Sequence, residues 1–164
     1  MRHPMTRRSA SRGFTLIELL VTIAVAAILA TLAAPSFRQY ITTQRIRNAS
    51  FDLITGLTMA RSEALTRNAD VDFKQSGGSW ANGWTVVPSG TTTTLHQQDA
   101  FKGLTIIETA GLATITYGKD GRAVTGQTTF TIKPSAAIGG VKNRCITVGL
   151  SGLPKSTETT GTCP

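Results

Sequence analysis

The chain is poor in several residue types on which chemistry depends. Of its 164 residues, 16% are charged and 6% are aromatic, and only two are histidines and two cysteines. The histidines, His3 and His96, occur in no metal-ligand spacing, and the sequence has no phosphate-binding or dinucleotide-binding loop. The sequence therefore predicts no catalytic residue, no metal site and no cofactor, and we interpret the chain as a protein other than an enzyme.

Acidic residues are also few, nine against 17 lysines and arginines, which gives a formal net charge of +8. The excess is uneven, because residues 1–13 carry four arginines and no acid. Half of the net charge therefore belongs to this short segment, which weakens any direct inference from basicity to nucleic-acid binding. An apolar content of 40% excludes a wholly disordered chain and indicates one packed domain with an appendage.

What the sequence does have is one long apolar run, residues 14–37, in which Glu18 is the single acidic residue. As a helix this run measures about 36 Å, enough to cross a bilayer core of about 30 Å. A cleaved secretory signal, with residues 31–33 as a loose cleavage site, is the alternative. The run is longer than a usual signal core, and Glu18 lies near its start, so we favour a membrane span.

Glu18 is expected to have a partner, because a carboxylate at membrane depth costs about 2.5–3.5 kcal/mol. Cleavage between Gly13 and Phe14 would leave a cationic α-amino group on Phe14. The sequence therefore suggests an ion pair between Glu18 and the Phe14 amine of a neighbouring subunit.

The stretch Gly13-Phe14-Thr15-Leu16-Ile17-Glu18, with Pro35 near the end of the apolar run, resembles the prepilin signature of type IV pilins and type II secretion pseudopilins. The resemblance implies cleavage after Gly13 by a prepilin peptidase, N-methylation of Phe14 and storage in the inner membrane before assembly. It also implies that Glu18 guides docking of the subunit into a filament of other pilins or pseudopilins.

The helix is predicted to continue past the apolar run to residue 67. Apolar residues recur every three or four positions and form one stripe, made of Ile46, Ala49, Leu53, Leu57, Ala60 and Ala64. A glycine in this helix, Gly56, suggests a close packing contact. The predicted organisation is a leader at 1–13, a transmembrane helix at 14–37, an amphipathic helix at 38–67 and a β-rich head at 68–164.

The head is predicted to be antiparallel and rich in β-strands, which makes the fold α+β. A hairpin is expected across residues 71–87, with a turn at 75–79 and Asn82-Gly83 directly before its second strand. The polar run Thr91–Thr94 is expected to be an exposed loop. Four further strands are predicted, at residues 104–107, 113–117, 128–132 and 145–148.

This half of the chain resembles the GspH/FimT group of minor pilins and pseudopilins. The resemblance is carried by segments at 59–64, 80–84, 117–122 and 149–152. It implies a pilin-like fold and a minor subunit that helps to initiate or cap a type IV pilus or a type II secretion pseudopilus. It also implies a Gram-negative bacterium and a single-pass inner-membrane protein with a periplasmic head.

Cys145 and Cys163 are the only cysteines. If the head is periplasmic, one disulfide between them is expected, and two unrelated thiols are the alternative. A loop of 18 residues would gain about 3 kcal/mol from such a bond. H-type secretion pseudopilins resemble the chain less in this tail, so the disulfide favours the pilus.

Binding of DNA during natural transformation is the alternative function. Basic residues are concentrated near the C-terminus, and Lys142, Arg144 and Lys155 are the candidate contacts. In pilins of the FimT type linked to transformation, a Gly-Arg-x-Arg-like motif binds DNA. The corresponding stretch here has Leu153 in place of the first arginine and Lys155 in place of the second.

Overall fold

The computed structural model describes residues 14–163. The processing site at Gly13 and the leader therefore lie outside the described residues. One helix, α1, precedes eight strands. Their bounds are Leu16–Arg67 for α1, Val71–Ser76 for β1, Ser79–Pro88 for β2, His96–Gln98 for β3, Leu104–Glu108 for β4, Thr114–Tyr117 for β5, Thr128–Pro134 for β6, Asn143–Val148 for β7 and Pro154–Thr159 for β8.

The chain divides into two compact units between Arg38 and Gln39, and α1 contributes to both. We call Gln39–Pro164 the head unit. In the first unit the large apolar side chains of α1, from Leu16 to Phe37, are all exposed. In the head unit α1 buries one stripe that contains all six apolar residues predicted from the periodicity. The helix runs through Pro35 and ends at Arg67, as the sequence predicts.

The strands form two antiparallel four-stranded sheets, with orders β3-β2-β1-β5 and β4-β6-β7-β8. The hairpin across 71–87 is confirmed as β1 and β2, and the four other predicted strands are confirmed as β4, β5, β6 and β7. The residues Thr91–Thr94 are exposed and outside any strand. The predicted α+β class, with a long N-terminal helix and an antiparallel β-rich head, is confirmed.

Two strands were missed, and both lie at a sheet edge. β3 and β8 are polar along most of their length, so they lack the apolar alternation that marks a half-buried strand. The position of Asn82-Gly83 was also wrong, because these residues lie inside β2 rather than before it. Gly83 has a φ of 90°, and a Cβ there would lie 2.0 Å from the carbonyl oxygen of Gln98 on β3. Only glycine permits this approach.

The core of the head unit contains half of the chain's ten aromatic residues in one cluster. The ring of Phe73 stacks on Trp80 at 5.3 Å and lies 5.5 Å from Trp84. Trp80 meets Phe130 edge-on at 5.0 Å and so joins the two sheets, while Phe101 lies 5.3 Å from Trp84. Aromatic pairs of this kind add about 0.5–1.5 kcal/mol each beyond burial.

The close contact expected at Gly56 is confirmed. A Cβ at this position would lie 2.7 Å from Nε1 of Trp84 and 2.8 Å from Cε2 of Phe73. The backbone of α1 therefore packs directly on two aromatic rings of the first sheet. This contact accounts for a residue that costs about 1 kcal/mol of helix propensity relative to alanine.

Candidate functional site

The first candidate site is the start of α1. Oε2 of Glu18 accepts hydrogen bonds from the backbone N–H and from Oγ1 of Thr15, both at 2.9 Å. In return, the backbone N–H of Glu18 donates to Oγ1 of Thr15 at 3.2 Å. This reciprocal pair is a capping box, and its signature, Thr-x-x-Glu, is present in the sequence but was missed. Within one chain, the carboxylate of Glu18 therefore accepts the open backbone N–H of Thr15 at the beginning of its own helix.

The surroundings of Glu18 are apolar and open. Phe14 is 81% exposed, and the apolar side chains that follow are exposed along the whole first part of α1. By length and composition, this helix is sufficient to cross a membrane. A surface this apolar is stable only against lipid or against other apolar helices.

The second candidate site is the C-terminal hairpin of β7 and β8. Cys145 in β7 forms a disulfide with Cys163, four residues after β8 ends, and their Cα atoms are 5.6 Å apart. Nδ2 of Asn143 also donates to the carbonyl oxygen of Gly161 at 3.0 Å. The tail is thus tied back to the sheet by one covalent bond and one hydrogen bond.

Two of the three candidate DNA contacts share one acidic partner. Nη2 of Arg144 lies 2.6 Å from Oε1 of Glu158, and Nζ of Lys142 lies 3.9 Å from its Oε2. Nη1 of Arg144 also donates to Oγ of Ser156 at 3.2 Å. The carboxylate of Glu158 therefore offsets part of the positive charge of this pair.

The third candidate lies on the other face of the sheet. Arg144 pairs with Glu158 across the strands, whereas Lys155 pairs with Thr147, three residues further along β7. Side chains alternate between faces along a strand, so this odd spacing places Lys155 and Arg144 on opposite faces of the sheet. The structure does not gather the three cations on one surface, and DNA binding stays a prediction.

A cation on α1, which the sequence analysis missed, joins this pair instead. Arg47 borders a cleft of about 220 Å³ together with Lys142, Arg144 and Glu158. One signal in the sequence was available, because the segment 19–51 contains arginines and no acid. Without the fold, however, nothing shows that this part of α1 lies beside β7.

A polar cluster outside these two candidate sites surrounds Asp72 on β1. Its Oδ1 accepts hydrogen bonds from Oγ of Ser89 at 2.7 Å and from Oγ1 of Thr116 at 2.8 Å, and its Oδ2 lies 3.2 Å from Nζ of Lys74. Burial alone would raise the pKa of Asp72, but these hydrogen bonds and the Lys74 ammonium outweigh burial and lower it. Among residues 14–163, no group of three or more His, Cys, Asp or Glu side chains is placed to hold a metal ion.

Comparison with known proteins decides the family. The family model described as "Type II transport protein GspH" matches residues 49–152, which is more than half of the chain. The chain belongs to the GspH family. A second family model, the prokaryotic N-terminal methylation motif, matches residues 8–34. The resemblance predicted from the sequence is therefore confirmed in both halves of this GspH-family chain.

Solved structures share the fold. The type IV minor pilin FimU of Pseudomonas aeruginosa aligns with a TM-score of 0.60 and 21% identity, over 72% of this chain and 96% of that chain. The minor pseudopilin EpsH from the type 2 secretion system of Vibrio cholerae aligns with a TM-score of 0.56 and 12% identity, over 70% and 97%. At these identities the likeness establishes the fold of the GspH-family chain and nothing further.

Curated relatives are type IV pilins and fimbrial proteins. The chain is 34% identical over 74 residues to the type IV major alpha-pilin of Moraxella bovis, covering 45% of this chain and 46% of that protein. It is 45% identical over 49 residues to a fimbrial protein of Moraxella nonliquefaciens, covering 30% and 31%. The chain thus spans less than half the length of the curated relatives it matches.

Proposed function

We propose that this GspH-family chain is a minor subunit that helps to initiate or cap a type IV pilus, with a type II secretion pseudopilus as the alternative filament. The observation that carries the proposal is the start of α1, where one carboxylate begins a helix whose large apolar side chains are all exposed as far as Phe37. Pilins and pseudopilins are structural subunits, so no catalytic residue is proposed.

Processing follows from the same segment. We propose that a prepilin peptidase cuts between Gly13 and Phe14 and that Phe14 is then N-methylated, which the match of the methylation motif to residues 8–34 supports. The product would be a transmembrane helix at 14–37, an amphipathic helix at 38–67 and a head at 68–164. The apolar helix and the family fit anchoring in the inner membrane, and we propose a periplasmic head.

Docking would proceed by lateral packing of the apolar helices. In a single chain, Thr15 holds the carboxylate of Glu18. In a filament, the cationic Phe14 amine of a neighbour would offer a stronger, charged donor in surroundings of low dielectric. The capping box then keeps Glu18 hydrogen-bonded while the subunit waits in the membrane, and the ion pair sets its axial position during assembly.

The placement of the head in an oxidising compartment is supported by the disulfide between Cys145 and Cys163. This bond fixes the tail against β7, and with it the side of the head that β7 and β8 expose. The same tie favours a pilus over a secretion pseudopilus, since the tail is where the resemblance to H-type pseudopilins is weaker.

The test is the Glu18→Ala variant, expressed in place of the natural chain. We expect its amount in the sheared filament fraction to fall at least about tenfold, because an unpaired amine at membrane depth costs several kcal/mol. The matched control is Glu63→Ala, the same substitution on the same helix within the head unit, where Glu63 pairs with Arg67 at 2.7 Å. The control should incorporate normally, since an exposed pair of this kind contributes about 0.3–0.5 kcal/mol.

Immunoblots of the membrane fraction must show equal amounts of both variants, so that loss of incorporation is separated from loss of protein. Normal incorporation of Glu18→Ala would refute the docking mechanism. For the proposed role in initiation, deletion of the chain should reduce the number of filaments per cell. An unchanged number would contradict that role.

A further inference from the structure

The charge of the head unit is distributed unequally. Five basic residues line two clefts beside the first turns of α1 in the head unit, and Glu158 is the acidic residue in their linings. The remaining part of the head unit has seven basic and seven acidic residues. We call the five basic residues the basic end: Arg45, Arg47, Lys102, Lys142 and Arg144.

Contacts within the head unit bring the basic end together from three parts of the chain. Arg45 and Lys102 border one cleft, and Nη1 of Arg45 lies 3.4 Å from the position of a Cβ on Gly103. On the other side of α1, Arg47 shares a cleft with Lys142 and Arg144. The loops after β3 and β6 therefore flank the first turns of α1 in this unit.

The two loops are also connected to each other. The backbone N–H of Ser135, just after β6, donates to the carbonyl oxygen of Gly103 at 3.1 Å. Further along the same loop, a Cβ on Gly140 would lie 3.5 Å from Nε2 of Gln39, the first residue of the head unit. The start of α1 in this unit is thus flanked by loops that carry Lys102 and Lys142.

Most of this positive charge is available to a ligand. Arg45, Arg47 and Lys102 are exposed, and none of the ion pairs formed among residues 14–163 involves them. Arg144 and Lys142 share the single carboxylate of Glu158. The ligand that fits is therefore a multiply charged anionic surface rather than one carboxylate.

We propose that the basic end binds the headgroups of anionic phospholipids. Lipid headgroups are favoured over other anions because Arg45 and Arg47 follow closely after the apolar run in the chain. This short separation along the chain holds at any angle between the two units. Arg45 and Arg47 follow Phe37, the last residue of the apolar run, by eight and ten positions, which is about 12 and 15 Å at the rise of a helix. Headgroup phosphates extend several ångströms beyond the hydrocarbon core, and long basic side chains together with a Debye length of about 8 Å cover the remaining distance.

A DNA duplex or a free phosphate ion would contact the same cations, but it would have to reach them from solution. In an anchored subunit the lipid phosphates are held beside these side chains at a high effective concentration. The inference rests on the membrane anchoring proposed above, and it adds a lipid preference that a pilin fold does not by itself require.

The experiment uses the full chain, reconstituted in phosphatidylcholine vesicles that contain trace spin-labelled phosphatidylglycerol or phosphatidylcholine. Electron spin resonance measures the share of each labelled lipid that the protein immobilises. We expect the wild-type chain to prefer phosphatidylglycerol by about fivefold or more, and 1 M salt to reduce this preference, since it shortens the Debye length to about 3 Å. The triple variant R45Q/R47Q/K102Q should lose most of the preference.

The matched control is R67Q/K119Q/R122Q, which removes three exposed cations from the other part of the head unit. Both variants keep the same N-terminal segment, so any effect of its arginines cancels. An unchanged preference in the first variant, or an equal loss in the control, would overturn the proposal. So would selective competition by inorganic phosphate at constant ionic strength, which would assign the site to free phosphate.

Two further results distinguish lipid binding from membrane anchoring and from DNA binding. A chain that fails to float with vesicles would refute membrane anchoring, whereas a chain that floats without lipid preference would refute only this inference. Gel shifts of the same variants with duplex DNA complete the test. Loss of DNA binding in the first variant, with an intact lipid preference, would overturn the lipid assignment in favour of nucleic acid.

Discussion

The two halves of α1 have almost opposite surfaces. Leu20, in the first half, is 50% exposed, and Leu53, in the second half, is fully buried. Both belong to the same helix, and both halves are rich in apolar residues. The first half is apolar on all sides, whereas the second has one apolar stripe, and only a stripe can be covered by the sheets of the same chain. The first half therefore fits surroundings outside the chain, and the second fits its own sheets.

The difference between the two halves is tested most directly by making the same substitution in each. Leu53→Ala should lower the free energy of unfolding of the head unit by about 2–5 kcal/mol, because it leaves a cavity in a packed core. Leu20→Ala should change it by less than about 0.5 kcal/mol. Urea denaturation of the detergent-solubilised chain, followed by tryptophan fluorescence, measures both values. Equal effects would contradict the division of the helix.

The disulfide should have the next largest effect, because it ties the tail to the head unit alone. Cys163→Ser is expected to lower the free energy of unfolding by about 3 kcal/mol, from the extra freedom of an 18-residue loop in the unfolded chain. Reduction of the wild-type chain should produce the same loss, and reduction of the variant should produce none. Unequal losses would show that the serine acts through packing around Cys145.

Gly56 tests how closely the second half of α1 packs on the sheet. Gly56→Ala should destabilise the head unit by about 1–3 kcal/mol, because the new methyl group would collide with the rings of Trp84 and Phe73. The preceding position is exposed, so Thr55→Ala serves as its control and should be neutral or slightly stabilising through helix propensity. Thermal denaturation of both variants decides the matter. A stabilising Gly56→Ala would show that the helix is held less closely to the sheet.

Asp72 should give the smallest effect, and this effect should disappear in acid. Its pKa is lowered in the folded chain, so its contribution is present above the unfolded pKa near 4 and is lost as the pH falls through the folded pKa. Asp72→Asn should therefore be less stable by roughly 1 kcal/mol at pH 7 and approach the wild-type chain below pH 4. Asp70→Asn, at an exposed position, is the control. A difference that persists at low pH would assign the loss to geometry rather than charge.

How far the sequence predicts this molecule depends on whether a feature is local. The capping signature, the apolar run and the buried stripe of α1 each follow from neighbouring residues and periodicity, and so do strands with apolar alternation such as β6. The edge strands β3 and β8 are held mainly by backbone pairing to a neighbour, which leaves little trace in their side chains. The same reason hides the position of Gly83, which is set by Gln98 on another strand.

The candidate sites divide in the same way. The sequence alone suggests the proposed pairing of Glu18 with the Phe14 amine of a neighbour, because both residues belong to one short motif. The basic end is not readable, because Arg47 and Lys142 are 95 positions apart and meet only when the loop after β6 folds onto α1. The C-terminal cluster of cations suggested DNA, but strand register places Lys155 on a different face from Arg144. Which cations share a surface therefore depends on residues that are distant in sequence and close in the fold.

The most direct test of the central claim is the intact mass and N-terminal sequence of the chain recovered from sheared filaments. We expect a chain that begins at N-methylated Phe14 and retains Glu18 and the whole apolar run. Recovery of a chain cut near Ala33, as a secretory signal would be, or one that still carries Met1, would contradict it. Such a product would lack either the helix or the free Phe14 amine on which docking depends.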